Sequence, residues 1–213
     1  HRTLILPQLG APGVAAHQVT NRTGFRVSYG PVRAKDPPAF LAAGMQAAPE
    51  MRRGEFPLRD RLVVAPVEVN QTAKYMLMAV VVLFLLAGLG RGGYSWARAA
   101  EIGGGSAGIL VGAWLGSCLL GPALLPWLPG RALALKGLAL GLLMYAGLLF
   151  WVVFHAHFFD AWWGLAGWMF IIPGVSSFLL MNFAGSTPYA SLLGVRRELR
   201  YALPAQIAAA LAG

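Results

Sequence analysis

Hydrophobic positions change character once along this chain. Up to about residue 74 they come in short runs separated by turn residues, and from Tyr75 onward they come in runs long enough to cross a bilayer. In the front segment, Leu4–Leu6 is a short apolar run followed by the turn residues Gln8-Leu9-Gly10-Ala11-Pro12-Gly13. A helix over Val14–Thr20 fits next, with Gly24 as its stop signal. Phe25–Tyr29 alternates as a strand and Gly30-Pro31 breaks it. Asp36 is placed to cap a helix with Pro37 in its first turn. That helix is predicted over Pro38–Met45, and Leu62–Val69 reads as a third strand. Strand–helix alternation at this spacing predicts a parallel, Rossmann-like α/β sheet over residues 1–74.

Three strands are too few to cover both faces of a parallel sheet. The chain opens on His1 with no signal-peptide pattern before Thr3, and an apolar run from Leu203 stops at Gly213. The expectation is a fragment cut at both ends, carrying the back half of an α/β domain.

Residues 75–213 read as an all-α membrane domain, since roughly 20 apolar residues span a bilayer core. Complete spans are predicted at about 75–90, 104–128, 133–156 and 162–184, with a truncated fifth from Leu203. Lys74 and Arg91 are placed to snorkel, and Tyr94 and Trp96 to sit at the interface. Pro122, Pro126 and Pro173 predict kinks. Glycines 104, 108, 112 and 116 lie four apart, and Gly137 and Gly141 repeat the spacing. Such stripes let backbones approach, so packing between helices is the preferred reading over a pore lining.

Composition sharpens this division. The chain is 57% hydrophobic and 12% charged, with 17 Lys+Arg against 8 Asp+Glu, net +9. Soluble chains carry about 25% charged residues, so wholly soluble and disordered readings are excluded. With the front segment in the cytoplasm, the inner segments hold 15 Lys+Arg and the outer ones only Arg91 and Arg98. That asymmetry obeys the positive-inside rule and predicts a multi-pass protein of the inner membrane. It also explains the basic charge without a nucleic-acid partner.

Candidate chemistry is sparse. The lone Cys118 excludes an intrachain disulfide, a cysteine-based zinc site and an iron–sulfur cluster, and its place inside a span reads as packing. There is no Ser/His/Asp arrangement, paired-carboxylate site or P-loop. The loop Gln8–Gly13 lies where open α/β folds bind ligands, at the carboxyl edge of the sheet and before a helix start. A second loop, Gly30 to Asp36, follows the next strand, with Arg33 and Lys35 placed to meet an anionic group. Taken singly, each loop reads as a structural turn or a solvated basic loop. His17 reads as a surface or packed residue. His155, His157 and Asp160 cluster at a helix end, but histidines two apart do not share a helix face. Asn182, Ser186 and Thr187 read as helix-end capping groups in preference to a polar cleft.

The segment Leu6-Pro7-Gln8-Leu9-Gly10-Ala11-Pro12-Gly13-Val14-Ala15-Ala16-His17 resembles the corrinoid-binding domain of the mercury-methylating corrinoid protein family (HgcA family). Gly30-Pro31-Val32-Arg33-Ala34 and Ala48-Pro49-Glu50-Met51-Arg52-Arg53 are similar to the same domain. Met181-Asn182-Phe183-Ala184-Gly185-Ser186-Thr187-Pro188-Tyr189, Ser191-Leu192 and Gly194-Val195-Arg196-Arg197-Glu198 resemble the stretch before that family's last membrane helix.

The resemblance implies a corrinoid-dependent methyltransferase. A cobalamin cofactor would pass a methyl group to inorganic Hg(II), giving methylmercury, and a ferredoxin with two [4Fe–4S] clusters would re-reduce the cobalt. By position, Gln8, Gly10, Ala11, Pro12, Gly13, Gly30, Pro31, Val32 and Arg33 would hold the corrinoid. The family's lower cobalt ligand is a cysteine in an Asn-(Val/Ile)-Trp-Cys-Ala-Ala-Gly-Lys cap helix. That motif is absent here and is expected before His1, so no catalytic residue or metal ligand is named, the segment given is expected to be inactive by itself, and residues 1–74 alone are expected to bind cobalamin poorly. Two other readings stay open. One is a corrinoid methyl carrier, related to the acetyl-CoA pathway, with another acceptor; the other is a metal-import bundle with a soluble sensor.

Overall fold

A computed structural model describes residues 2–52, 54, 56–155, 162–183 and 192–213. Most of them are helical. The chain divides into two units, His1–Phe56 and Pro57–Gly213.

The first unit is built on two strands, β1 (Thr3–Pro7) and β2 (Arg26–Gly30), paired in parallel with Thr3 opposite Arg26 and Pro7 opposite Gly30. Parallel neighbours need a crossover, and α1 (Ala16–Thr23) supplies it. It ends at Gly24, whose φ of 71° is the left-handed conformation in which glycine avoids a Cβ clash. After β2, α2 (Pro37–Ala42) starts at Asp36 and buries Phe40 against the sheet end. Asp36 holds the cap position but makes no side-chain cap bond. One reason is local: Pro38, second in the helix, has no N–H to offer.

α2 is shorter than the run to Met45 because the chain reverses there. Gly44 (φ 66°) and Met45 (φ 63°) are both left-handed, and their N–H groups return to the Leu41 and Phe40 carbonyls. This is a Schellman ending. The only strands among the described residues are β1 and β2, and Leu4 and Ile5 stay well exposed on them.

The expected third strand, Leu62–Val69, is helical. It is the start of α3 (Leu58–Ala87), so the unit boundary falls at Phe56 and not near Lys74. The side chains show why. Arg61, Ala65 and Glu68 are buried, at the helical spacing of four and three, while Leu62, Val63 and Val67 are exposed. The segment is amphipathic with its polar residues turned inward, as in membrane bundles, where lipid is the outer solvent.

Beyond α3 the chain runs through a short helix α4 (Trp96–Arg98), a π-helical turn over Ala99–Gly103 and α5 (Gly104–Leu124). α6 (Leu133–His155), α7 (Trp162–Asn182) and α8 (Leu192–Ala212) follow. Four helices among the described residues are long and apolar enough to cross a membrane: Leu58–Ala87, Trp96–Leu124, Leu133–Phe154 and Gly164–Asn182. The second stops at Leu124 and not near 128, because Pro126 has no N–H with which to continue its hydrogen-bond ladder. The expected fifth span from Leu203 is the second half of α8, whose first half carries Arg196, Arg197, Glu198 and Arg200.

The bundle centre is Leu110 and Ala113 of α5 with Trp168 and Ile172 of α7, joined by Met76 and Val80 of α3 and Met144 and Leu148 of α6. α6 meets α7 backbone to backbone at two glycines. A Cβ on Gly137 would lie 2.5 Å from the Ser176 carbonyl oxygen, and one on Gly141 would lie 2.4 Å from Pro173 Cα. The stripe on α5 behaves differently. Gly104, Gly108 and Gly112 have nothing within 4 Å of a built Cβ, and only Gly116 meets a neighbour, the Met144 side chain. The packing expected for that stripe holds at Gly116 and fails at the other three. Four-residue spacing identifies a face, not what covers it.

Candidate functional site

Pairing Pro7 with Gly30 makes both strands end at one sheet edge, so the loops that follow them leave from the same place. After Pro7 the chain tightens into a 3-10 turn over Gln8–Gly10. Ala11 N–H donates to the Gln8 carbonyl at 3.1 Å, and Gly13 N–H to the Gly10 carbonyl at 3.0 Å. The far end of this loop is fastened from β2, where the Tyr29 hydroxyl donates to the Val14 carbonyl at 2.5 Å. α1 then begins at Ala16, and Ala15 in the cap position has no side-chain oxygen to offer its first-turn N–H groups.

The second loop is held from another direction. Val32 N–H donates to the Met51 carbonyl at 3.0 Å, and Asp36 N–H to the Arg33 carbonyl at 3.2 Å. The first of these bonds brings the 3-10 turn Pro49–Arg52 to the loop after β2. The segments 6–17, 30–34 and 48–52 therefore belong to one cluster of loops.

Within the cluster the residues differ in exposure. Gly30 and Pro31 are buried, Gln8, Gly10, Val32 and Arg33 are half-buried, and Ala11, Pro12 and Gly13 are exposed. A Cβ on Gly30 would come within 2.9 Å of Ile5 Cγ2 and 3.6 Å of Phe40 Cε1, so this glycine is set by packing. Gly10 and Gly13 meet only their own turn, at 3.9 and 3.7 Å. Their backbone is open to approach, which is what glycine at a ligand-facing edge allows. Tyr29 was not legible as part of this edge, because strand register puts it there; Met51 stands in one of the resembling segments, and the long-range Val32–Met51 bond is what brings it to the loop. His17 is exposed on α1.

The second unit holds a polar cluster at the start of α3. Arg61 is 6% exposed and donates to the Pro122 and Ala123 carbonyls at 3.1 and 3.0 Å. The chain itself cannot satisfy these oxygens helically: Pro126 has no N–H for Pro122, and Trp127 N–H goes to Leu124. Lys136 completes the task, donating to the Leu125 and Leu128 carbonyls at 2.6 and 2.7 Å. Two cations thus cover the negative end of α5. At the start of α6, the Glu198 carboxylate accepts from Ala134 N–H, placing an anion at a positive helix end.

Further along α3, Trp114 Nε1 donates to Thr72 Oγ1 at 2.8 Å, and Thr72 Oγ1 donates to the Glu68 carbonyl at 2.7 Å. The Glu68 side chain is 6% exposed and lines a void of about 10 Å³ with Ser117 and Cys118. Cys118 is buried among these groups, consistent with the packing reading. Among the described residues no three His, Cys, Asp or Glu come together. His155 is the last residue of α6, and His157 and Asp160 lie outside the described residues. Asn182 ends α7 with its side chain exposed, while Ser186 and Thr187 also lie outside the described residues.

No protein-family model, curated protein or solved structure matches the chain.

Proposed function

We propose that this multi-pass membrane protein is a corrinoid protein of the mercury-methylating type, transferring a methyl group to Hg(II) to form methylmercury. The observation that supports this most directly is the register of Pro7 against Gly30, which sends the loops Gln8–Gly13 and Gly30–Arg33 from one sheet edge. Both loops carry the residues that resemble the corrinoid-binding domain, and the third such segment joins them through the Val32–Met51 bond.

The residues present fit a corrinoid in the open backbone around Gly10 and Gly13, where nothing outside the turn lies close. Gln8, Gly10, Ala11, Pro12 and Gly13 would approach it from one loop, and Gly30, Pro31, Val32 and Arg33 from the other. When bound, the cofactor's cobalt supplies the methyl group, and the protein's part is binding, orientation and exclusion of side reactions. Tyr29 holds the first loop closed on β2, and Phe40 over Gly30 fixes where the second begins. Glu68, Arg61 and Lys136 belong to the bundle, whose role in this reading is anchoring. Electrons would come from a ferredoxin with two [4Fe–4S] clusters.

Charge supports the orientation. Arg59, Arg61, Arg131, Lys136, Arg196, Arg197 and Arg200 lie at the starts of α3, α6 and α8 or in the turn between α5 and α6, against Arg91 and Arg98 at the other helix ends. The positive-inside rule then puts the front segment on the cytoplasmic face of the inner membrane.

The test is to isolate membranes carrying the expressed protein and its ferredoxin partner, then measure retained corrinoid by visible absorption and methylmercury formed from Hg(II). In the protein extended upstream of His1 by the cap-helix motif, retention and product are expected together, whereas the segment from His1 onward alone should give no methylmercury; a Gly10→Leu/Gly13→Leu variant of the longer protein should lose both while keeping its helical content. Corrinoid retention without methylmercury would move the assignment to a methyl carrier for another acceptor. Absence of both would overturn it.

A further inference from the structure

A cavity of about 740 Å³ lies within the second unit, walled by α6, α7 and α8. Its volume is within the range of small-molecule sites, roughly 300–1,000 Å³. Its walls are apolar along most of their length: Leu138 and Leu142 from α6, Phe170 and Pro173 from α7, Ala205 and Ala209 from α8. The lining on α8 runs from Gly194 to Ala209, about 22 Å at 1.5 Å per residue.

One end is different. Arg131 and Arg197 line it, both exposed, with Tyr201 beside them. Glu198 is the single acid in the lining, and its carboxylate is engaged by Ala134 N–H. The end where α6 and α8 start therefore presents two guanidinium groups above an elongated apolar chamber. Guanidinium matches phosphate in charge and geometry. A chamber with cationic end and apolar walls between membrane helices is complementary to one kind of molecule, an anionic amphiphile.

We propose that this cavity is a binding site for an anionic phospholipid, its phosphate on Arg131 and Arg197 and one acyl chain between α6, α7 and α8. The site is independent of the corrinoid reading and uses no residue of the first unit. Its position explains why α8 is too charged to be apolar throughout: the turns carrying Arg196, Arg197 and Arg200 sit where headgroups lie, and the apolar remainder covers the chain.

The experiment places the full chain in lipid nanodiscs of phosphatidylcholine alone or mixed with phosphatidylglycerol, and releases it into a native mass spectrometer. Retention of phosphatidylglycerol over phosphatidylcholine is expected, with a higher Tm in the mixed discs. Arg131→Gln/Arg197→Gln should weaken retention roughly ten- to thirty-fold, since each basic group near a headgroup is worth about 1 kcal/mol. Arg91→Gln, at the other helix ends, should leave it unchanged. Leu138→Phe narrows the chamber and should lower retention while helical content stays constant. Equal retention of the two lipids, or retention unaffected by the double substitution, would overturn the proposal. So would a Tm rise reproduced by inorganic phosphate in pure phosphatidylcholine, or a second copy of the chain released in place of lipid.

Discussion

The Arg61 guanidinium and the Pro122 carbonyl oxygen lie 3.1 Å apart, joining the first turn of α3 to the last turn of α5. The contact follows from two prolines. Pro126 withholds the N–H that would serve Pro122, and a cation from another helix serves it instead. Arg61→Met leaves that oxygen and the Ala123 oxygen without a donor in a buried place. A loss of about 2–3 kcal/mol is expected, at 1–3 kcal/mol per orphaned buried group with partial relaxation. Denaturant unfolding in micelles reads this directly, and a change under 0.5 kcal/mol, about the scatter of ordinary surface substitutions, would contradict it.

Glycine spacing separates two faces that look alike in sequence. Gly141→Ala forces a Cβ to within 2.4 Å of Pro173 Cα and is expected to cost about 1–3 kcal/mol, with Gly137→Ala similar. Gly108→Ala meets nothing and is expected to be neutral or to gain up to about 1 kcal/mol of helix propensity. The comparison needs only the relative Tm values of the two variants. If Gly108→Ala proved the more damaging, the described packing would be wrong.

Much of the first unit was legible because its signals are local. Gly24 and Asp36-Pro37 mark helix boundaries by their own backbone preferences, and both strands were found within a residue or two. The start of α3 was not legible. Val63, Val64 and Val67 favour strands by propensity, and a reading that assumes water outside takes Arg61 and Glu68 for a solvated edge. In a bundle surrounded by lipid the inside is the polar side, so the same residues specify a helix. The site edge was half legible. Gly10, Gly13 and Gly30 stand out in sequence, whereas Tyr29 and Met51 reach the loops through pairing that no short window contains.

Tyr29→Phe removes the hydroxyl that closes the first loop. A cost of about 1 kcal/mol is expected for the lost hydrogen bond, with the strands intact. The sharper readout is amide exchange, which should accelerate at Ala11 and Gly13 and not at Tyr29 itself. Uniform acceleration across β1 and β2 would mean that the residue supports the sheet as a whole.

At the other side of the same unit, Gly44 sits at φ 66° with open space around it. Gly44→Ala should cost about 1 kcal/mol from the left-handed backbone alone. Gly44→Asn should recover part of it, since asparagine tolerates that region. Equal stability of all three would contradict the Schellman ending of α2.

Glu198→Gln removes an anion from the first turn of α6. A loss of about 0.3–1 kcal/mol is expected, diminishing with added salt as helix-dipole interactions do. A loss insensitive to salt would assign the residue's contribution to shape and not to charge.

The unbroken course of α3 from Leu58 to Ala87 has a practical bearing on dissecting the protein. Scission after Lys74, where the hydropathy changes, would split a continuous rod of about 45 Å and separate Arg61 and Thr72 from the carbonyls and indole they serve. The severed front piece would carry Val63 and Val67 into water with a guanidinium meant for another helix, a recipe for precipitation. Expressing the two pieces separately, divided between Phe56 and Pro57, would part the chain along its natural seam.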